Sequence, residues 1–99
     1  MPVMEISVVP VGTASTSVSA YVARMVKKLG ELGAVYQLGP MGTVVEGSLD
    51  ELLQMAKALH SIPFEMGVLR VLTTIRIDDR KDKPLSAEGK IKAVEEKLG

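Results

Sequence analysis

The chain has no cysteine, no tryptophan and a single histidine among its 99 residues. Without cysteine it can form neither disulfides nor a reactive thiolate, which suits a reducing compartment. One histidine cannot join a second histidine or a cysteine in a metal site or a catalytic relay, so we expect no metal, no cofactor and no catalysis of that kind. His60 lies on the apolar face of a predicted helix, where a structural imidazole is the favoured interpretation.

The chain also lacks an excess of charge of either sign. Twelve basic and twelve acidic residues give a formal net charge of zero, and no basic block stands out. A nucleic-acid or anionic-membrane partner needs a positive field, so neither is expected. No stretch approaches the ~18 apolar residues of a membrane span, and no basic region followed by an apolar run opens the chain. We therefore expect a cytoplasmic protein.

Aromatic residues make up only 3% of the chain, so its core must rely on valine, leucine, isoleucine and the six methionines. A chain of this length forms one domain, residues 1–99, and buries roughly two-thirds of the surface that it exposes when unfolded.

The apolar periodicity predicts seven elements in a definite order. They are a strand from Val3 to Val9, a helix from Val18 to Leu29, strands Val35 to Leu38 and Gly42 to Glu46, a helix that begins after Ser48 and ends before Pro63, a strand from Val68 to Asp78, and a narrow-striped helix after Ser86.

Local signals predict how the helices begin and end. A run of hydroxyl side chains before the first helix supplies candidate caps, and Gly30 or Gly33 ends that helix. Ser48 with Glu51 three residues later predicts a capping box on the second helix. The hydroxyl run comprises Thr13, Ser15, Thr16 and Ser17.

This order of elements predicts a ferredoxin-like βαββαβ sandwich with an additional C-terminal helix. Right-handed crossovers then make the first and third strands central, and both crossover helices cover one face of the sheet. The other face is left bare, and a second copy of the chain is its expected cover. The residues predicted on the bare face are Glu5, Ser7, Arg70, Leu72, Thr74 and Arg76.

The stretch from Pro40 to Gly47 places one carboxylate, Glu46, in an otherwise apolar strand. A lone acid there is costly unless something pairs with it. The pairing group is an arginine of a neighbouring strand (Arg70 or Arg76), a partner subunit, or a ligand that carries positive charge or a hydrogen-bond donor. We expect Thr43, Glu46 and the loop from Gly12 to Ser17 to line one shallow pocket.

Five motifs that follow one another along the chain resemble those of the small thiamine-binding family. They are Val9–Thr13, Thr16–Ala23, Pro40–Gly47, Gly67–Val71 and Ile75–Lys83. The resemblance implies a ferredoxin-like fold, dimers that pair into tetramers, and binding of thiamine or its hydroxymethylpyrimidine part without catalysis.

The family motifs assign a set of ligand-binding positions in this sequence. The resemblance implies that these are Gly12, Thr13, Thr16, Ser17, Thr43 and Glu46. Hydroxyl groups suit an aminopyrimidine, and a carboxylate suits the cationic thiazolium ring of thiamine. The first functional hypothesis is thus a carrier or sensor of thiamine or a related pyrimidine. The alternative is a structural homo-oligomer without a ligand, in which Glu46 only pairs with an arginine. An enzyme is not indicated, because the sequence shows no pair of a nucleophile and a base.

Overall fold

The computed structural model describes every residue from Met1 to Gly99. Four strands form one antiparallel sheet in the order β2-β3-β1-β4, and three helices complete the fold. This confirms the ferredoxin-like arrangement with β1 and β3 at the centre. None of the helices has the length and apolar character needed to cross a membrane. The elements are β1 (Val3–Val11), α1 (Ser19–Glu31), β2 (Val35–Leu38), β3 (Thr43–Glu46), α2 (Leu49–Glu65), β4 (Arg70–Asp78) and α3 (Ala87–Leu98).

The core lies between the sheet and the two crossover helices. Successive strand residues point to opposite faces, so the even-numbered residues of β1 pack inward against α1 and α2. Burial of these apolar side chains is the main stabilisation of a domain of this size. The most deeply buried members of the cluster are Met4, Ile6, Leu29, Val45, Leu52 and Leu59.

The opposite face of the sheet carries the residues predicted for it. Glu5 is paired in register with Arg76, and Ser7 with Thr74, so these side chains share one face. The Arg76 guanidinium contacts the Glu5 carboxylate at 2.7 Å. Leu72 is 63% exposed on the same face. We call this surface, which no crossover helix covers, the bare face.

Two predicted helix ends differ from the structure. Val18 is the residue before α1, and no side chain caps that helix. The hydroxyls bond within their own loop instead, where Thr13 Oγ1 donates to the Ser15 carbonyl and Ser15 Oγ accepts from the Ser17 N–H. The end of α1 is as predicted, because Gly33 has a φ of +68° and the helix closes there.

The second helix does not end before Pro63, as its sequence predicts. It continues to Glu65, with Pro63 buried in its last turn. Proline lacks the N–H that would bond to the Leu59 carbonyl, and its ring crowds that carbonyl, so the helix ends within a turn after Pro63. The Pro63 carbonyl accepts from the N–H groups of Met66 and Val68, which fixes the exit of the chain. The predicted capping box of Ser48 and Glu51 is confirmed.

Strand β4 and helix α3 lie at the margin of the fold. The strand begins at Arg70 rather than Val68, and Leu69 before it is 96% exposed. The predicted Ser86 cap is present, since Ser86 Oγ accepts from the Gly89 N–H. Helix α3 has no buried residue, and its apolar stripe of Ile91, Val94 and Leu98 is exposed.

Candidate ligand-binding site

A cavity of about 890 Å³ lies between the sheet, the first half of α1 and the hairpin that joins β2 to β3. Its volume is within the range of small-molecule sites. Valine, leucine, isoleucine and methionine side chains provide most of the lining. The principal lining residues are Ile6, Val8, Ser17, Val18, Val22, Val26, Leu38, Met41 and Thr43.

The cavity exists because β3 is shorter than the strand beside it. The pairing of β1 with β3 stops at Ile6 and Thr43, whereas its pairing with β4 continues to Val11 and Arg70. From Ser7 onward, β1 therefore has one free edge. The β2–β3 hairpin leaves the sheet beyond Thr43, and residues of α1 line the space that this leaves beside β1.

Glycine permits the tight hairpin turn that borders the cavity. The Gly39 N–H donates to the Gly42 carbonyl at 3.0 Å. A Cβ atom on Gly39 would lie 2.7 Å from that carbonyl oxygen, and one on Gly42 would lie 3.3 Å from the Ile6 carbonyl oxygen. A side chain at Gly39 would distort the hairpin turn itself, and one at Gly42 would push the hairpin away from β1, so either would change the shape of the cavity.

The cavity lining contains no ionisable side chain. Its polar side chains are hydroxyls, among them Ser17 and Ser19, whose Oγ atoms lie 3.3 Å apart, and Thr43 from the opposite wall. Such a site offers hydrogen bonds without a counter-charge. It suits a neutral ligand, because an unpaired charge moved into an apolar cavity would lose its hydration without compensation.

The structure brings together two of the six predicted ligand-binding residues. Ser17 and Thr43 line the cavity, but Gly12, Thr13 and Thr16 lie in the preceding loop and do not. Glu46 is also outside it. In β3, Thr43 is paired with Ile6 on the helix side, whereas Glu46 is paired with Val3 and points to the bare face. The expectation of one pocket shared by Glu46 and Thr43 is therefore wrong for a single chain.

Glu46 has a different partner from those considered in the sequence. Its Oε1 accepts a hydrogen bond from the Ala87 N–H at 2.5 Å, at the first turn of α3. A carboxylate satisfies a free amide there and interacts favourably with the helix dipole. An ion pair between Lys90 and Asp78 also joins this helix to the end of β4. Neither of the two arginines considered as partners contacts Glu46: Arg76 pairs with Glu5, and Arg70 is in register with Val11 at the other end of β1.

His60 has the structural role that its position predicts. Its Nδ1 lies 2.7 Å from Thr73 Oγ1, which ties α2 to the edge strand β4. The ring also contacts Phe64 edge-on, with centroids 5.6 Å apart. His60 does not line the cavity.

A second concavity, of about 710 Å³, lies on the outer surface between α1 and α2. Its lining is mainly long charged side chains, including Arg24, Lys27, Lys28 and Lys57. Such side chains are mobile and solvated on a helix surface, so they do not form a preorganised site. The cavity beside β1 is the better candidate because the sheet and the hairpin hold its walls.

The chain is thus a ferredoxin-like domain with a mostly apolar, uncharged cavity beside its central strand. The sequence profile of the family described as "Thiamine-binding protein" matches residues 4–95. The chain belongs to this family.

Relatives share both sequence and fold with the chain. A UPF0045 protein encoded in the glkA 3′ region of Staphylococcus xylosus is 46% identical and is aligned over 99% of this chain and 95% of its own length. The solved structure of the hypothetical protein MJ1052 from Methanocaldococcus jannaschii has a TM-score of 0.86 and 39% identity, and the match covers 96% of each chain.

One structural neighbour carries a functional description. The Thermotoga maritima protein TM0486, provisionally assigned to thiamine biosynthesis or salvage, has a TM-score of 0.76 and 26% identity to this chain. The match covers 94% of this chain and 97% of that one.

Proposed function

We propose that this protein is a non-catalytic binding protein for thiamine or its hydroxymethylpyrimidine part, and that it acts as a carrier or a sensor. The observation that carries the proposal is the uncharged cavity beside β1, with hydroxyls on opposite walls. Membership of a thiamine-binding family supports the choice of ligand. The description of the Thermotoga maritima neighbour supports it as well.

The chemistry of the ligand matches that of the cavity. A methyl-substituted aminopyrimidine is flat and neutral, with apolar faces and polar groups at its rim. Apolar walls from α1 and the hairpin suit its faces, and the hydroxyls of Ser17 and Thr43 suit its rim. Directional polar groups in an apolar site are the usual basis of small-molecule specificity.

The remaining predicted residues are proposed for the outer part of the ligand. The loop that contains Gly12, Thr13 and Thr16 leads directly into Ser17, so we assign to it the thiazolium ring of thiamine, outside the uncharged cavity. Glu46 lies on the other face of the sheet, and its bond to Ala87 favours a structural role over direct ligand contact. A binding role without catalysis is supported by a lining that offers no acid, base or thiol.

We also propose that the protein forms a cytoplasmic homo-oligomer, a dimer or a pair of dimers. The support is the bare face with its exposed Leu72, the unpaired edge of β4, and the exposed apolar stripe of α3. Edge strands are usually guarded or paired, and this one offers its whole length. The same surfaces support the second candidate function, a structural oligomer that binds no small molecule.

Calorimetric titration of the purified protein separates the two candidates. We expect thiamine and hydroxymethylpyrimidine each to bind with one site per chain, and to raise the melting temperature in proportion to the logarithm of their concentration. We expect thiamine phosphates to bind no more tightly than thiamine, since neither the cavity nor the loop from Gly12 to Ser17 has a basic side chain. The absence of both heat and thermal stabilisation with all of these compounds would refute the binding function and leave the structural one.

A further inference from the structure

We propose that the main-chain N–H and C=O groups of Val8 recognise the aminopyrimidine edge of the ligand. This inference rests on the proposed function and names the group that determines specificity in the cavity. Val8 lies on the free edge of β1, two residues beyond the last pair with β3, and it lines the cavity.

Strand alternation determines which main-chain groups face the free edge. In an antiparallel sheet, the N–H and C=O of one residue point to the same neighbouring strand, and those of the next residue point to the other. The Gly47 N–H donates to the Pro2 carbonyl on the β3 side. Even-numbered residues of β1 therefore face β3, which assigns the polar main-chain groups of Met4, Ile6 and Val8 to that side.

The hairpin gives an independent check on this assignment. The Gly39 N–H donates to Gly42 O, so even-numbered residues of the second hairpin arm face β2. Odd-numbered residues such as Thr43 must then face β1, as the pair of Thr43 with Ile6 requires. If the pairing continued beyond Ile6 and Thr43, Val8 would be paired with Met41. Met41 is instead in the turn and is 87% exposed. No main-chain bond joins them.

Pro10 supports the same conclusion. Proline has no N–H and is found in strands where that group would point away from the ladder. Pro10 is even-numbered and paired in register with Val71 of β4, so its ring nitrogen is on the free edge. Pro10 therefore costs β1 none of its hydrogen bonds to β4. On the free edge, Val8 is the one residue of β1 that offers both an N–H donor and a C=O acceptor.

One pair fits a small heterocycle better than a peptide. An added peptide strand needs a series of donors and acceptors along an edge. Here Ile6 is already paired with Thr43, and Pro10 offers no donor. A 4-aminopyrimidine has a ring nitrogen that accepts and an adjacent amino group that donates. The ring nitrogen can accept from the Val8 N–H and the amino group can donate to the Val8 C=O, as the main-chain groups of a paired residue do in a sheet.

The neighbours of Val8 select against charge. The walls on either side carry hydroxyls and apolar groups, with no ionisable side chain. The cavity accordingly accepts the neutral aminopyrimidine and leaves a thiazolium or phosphate group outside. We expect hydroxymethylpyrimidine to bind at least as tightly as thiamine. An analogue that lacks the 4-amino group should bind about tenfold more weakly, the typical loss for one hydrogen bond.

Nuclear magnetic resonance of the ¹⁵N-labelled chain tests the role of Val8 directly. In the free protein, the Val8 amide should exchange with solvent much faster than the amides of Met4 and Ile6, which are in the ladder. At a hydroxymethylpyrimidine concentration of 100 Kd, its exchange should slow by about a hundredfold, the ratio of bound to free protein. Its proton resonance should also move downfield on hydrogen bonding.

A pair of variants removes the donor separately from the side chain. Val8→Pro removes the N–H, which makes no bond in the sheet, and also alters the buried side chain. Val8→Ala alters the side chain and keeps the N–H. We expect Val8→Pro to bind hydroxymethylpyrimidine about tenfold more weakly than Val8→Ala does. If Val8→Pro does not fold, the exchange and chemical-shift measurements on the parent protein still show whether the Val8 amide binds the ligand.

The inference and the proposed function fail in different ways. Calorimetric binding of hydroxymethylpyrimidine with no change in the Val8 amide would overturn the main-chain recognition and leave the binding function intact. Equal affinity of the folded Val8→Pro and Val8→Ala variants would do the same. Absence of any pyrimidine or thiamine binding in the parent protein would refute the function itself.

Discussion

Oε1 of Glu46 and the main-chain nitrogen of Ala87 lie 2.5 Å apart, which joins the end of a central strand to the start of the C-terminal helix. Helix α3 buries none of its side chains. Its polar contacts with the sheet are this bond and the Lys90–Asp78 ion pair. The one carboxylate in the apolar third strand is therefore explained by anchoring of a helix.

The first prediction concerns that bond. Glu46→Gln retains the shape of the side chain and removes its charge, so the first turn of α3 should be less well held. We expect a lower melting temperature and a loss of about 1 kcal/mol, as for other helix-cap changes. Thiamine affinity should change less than twofold, because Glu46 does not line the cavity; this figure is about the error of a titration.

Calorimetry and thermal unfolding of the same variant decide between the two roles of Glu46. A loss of thiamine affinity of roughly ten- to a hundred-and-fifty-fold, as expected for a charged hydrogen bond to the ligand, would restore Glu46 to the binding site.

The second prediction concerns the hydroxyl of Thr43. Thr43→Val keeps the branched shape and removes the hydroxyl, so hydroxymethylpyrimidine should bind about tenfold more weakly. Thr43→Ser should retain most of the affinity. The matched control is Thr74→Val, which makes the same change on the bare face. An equal affinity of Thr43→Val and the parent protein in calorimetry would exclude this hydroxyl from recognition.

The third prediction concerns assembly. Light scattering should detect a homo-oligomer at roughly tens of micromolar protein, a concentration that populates even weak interfaces. Leu72→Lys places a charge on the bare face and should shift the protein toward the monomer. Leu69→Lys is the control, since Leu69 is also an exposed leucine, at 96% against 63% for Leu72, but it precedes the strand. A monomeric parent protein at this concentration contradicts the assembly.

The fourth prediction concerns acid stability. The Ser48 hydroxyl and main-chain N–H lower the pKa of Glu51 in the folded protein. The capping box therefore contributes stability fully above the ordinary pKa of a glutamate, and this contribution is lost as the pH falls through the lowered value. Glu51→Gln should reduce the melting temperature at neutral pH, and the difference from the parent protein should shrink below about pH 4. A pH-independent difference would show that the charge of Glu51 has no part in the cap.

Much of the fold could be predicted because local signals and global topology agree. The alternation in β1, the helical spacing of α1 and the Ser48–Glu51 box each pointed to the observed element. Tertiary context overrode the rest. Helix α2 ends two residues after Pro63 rather than before it, and the hydroxyl loop before α1 bonds to itself rather than to the helix.

The site was harder to predict than the fold. Residues three apart in a strand lie on opposite faces, so the separation of Thr43 from Glu46 was available from the sequence by parity alone. The partner of Glu46 was not, because Ala87 is remote in the chain and its contribution is a main-chain amide. Val8 carries no side-chain signal of function either, since the groups proposed for recognition are common to every residue except proline.

The difference in length between β1, with nine residues, and β3, with four, gives the cavity an unusual origin. The site lies where β1 continues without a neighbouring strand on its β3 side. Lengthening the hairpin by two residues on each arm would extend the ladder past Ile6, pair the new residues with Val8, and close the gap with backbone. A family member with such an insertion would keep its fold and gain hydrogen bonds, but it would have no room for a ligand.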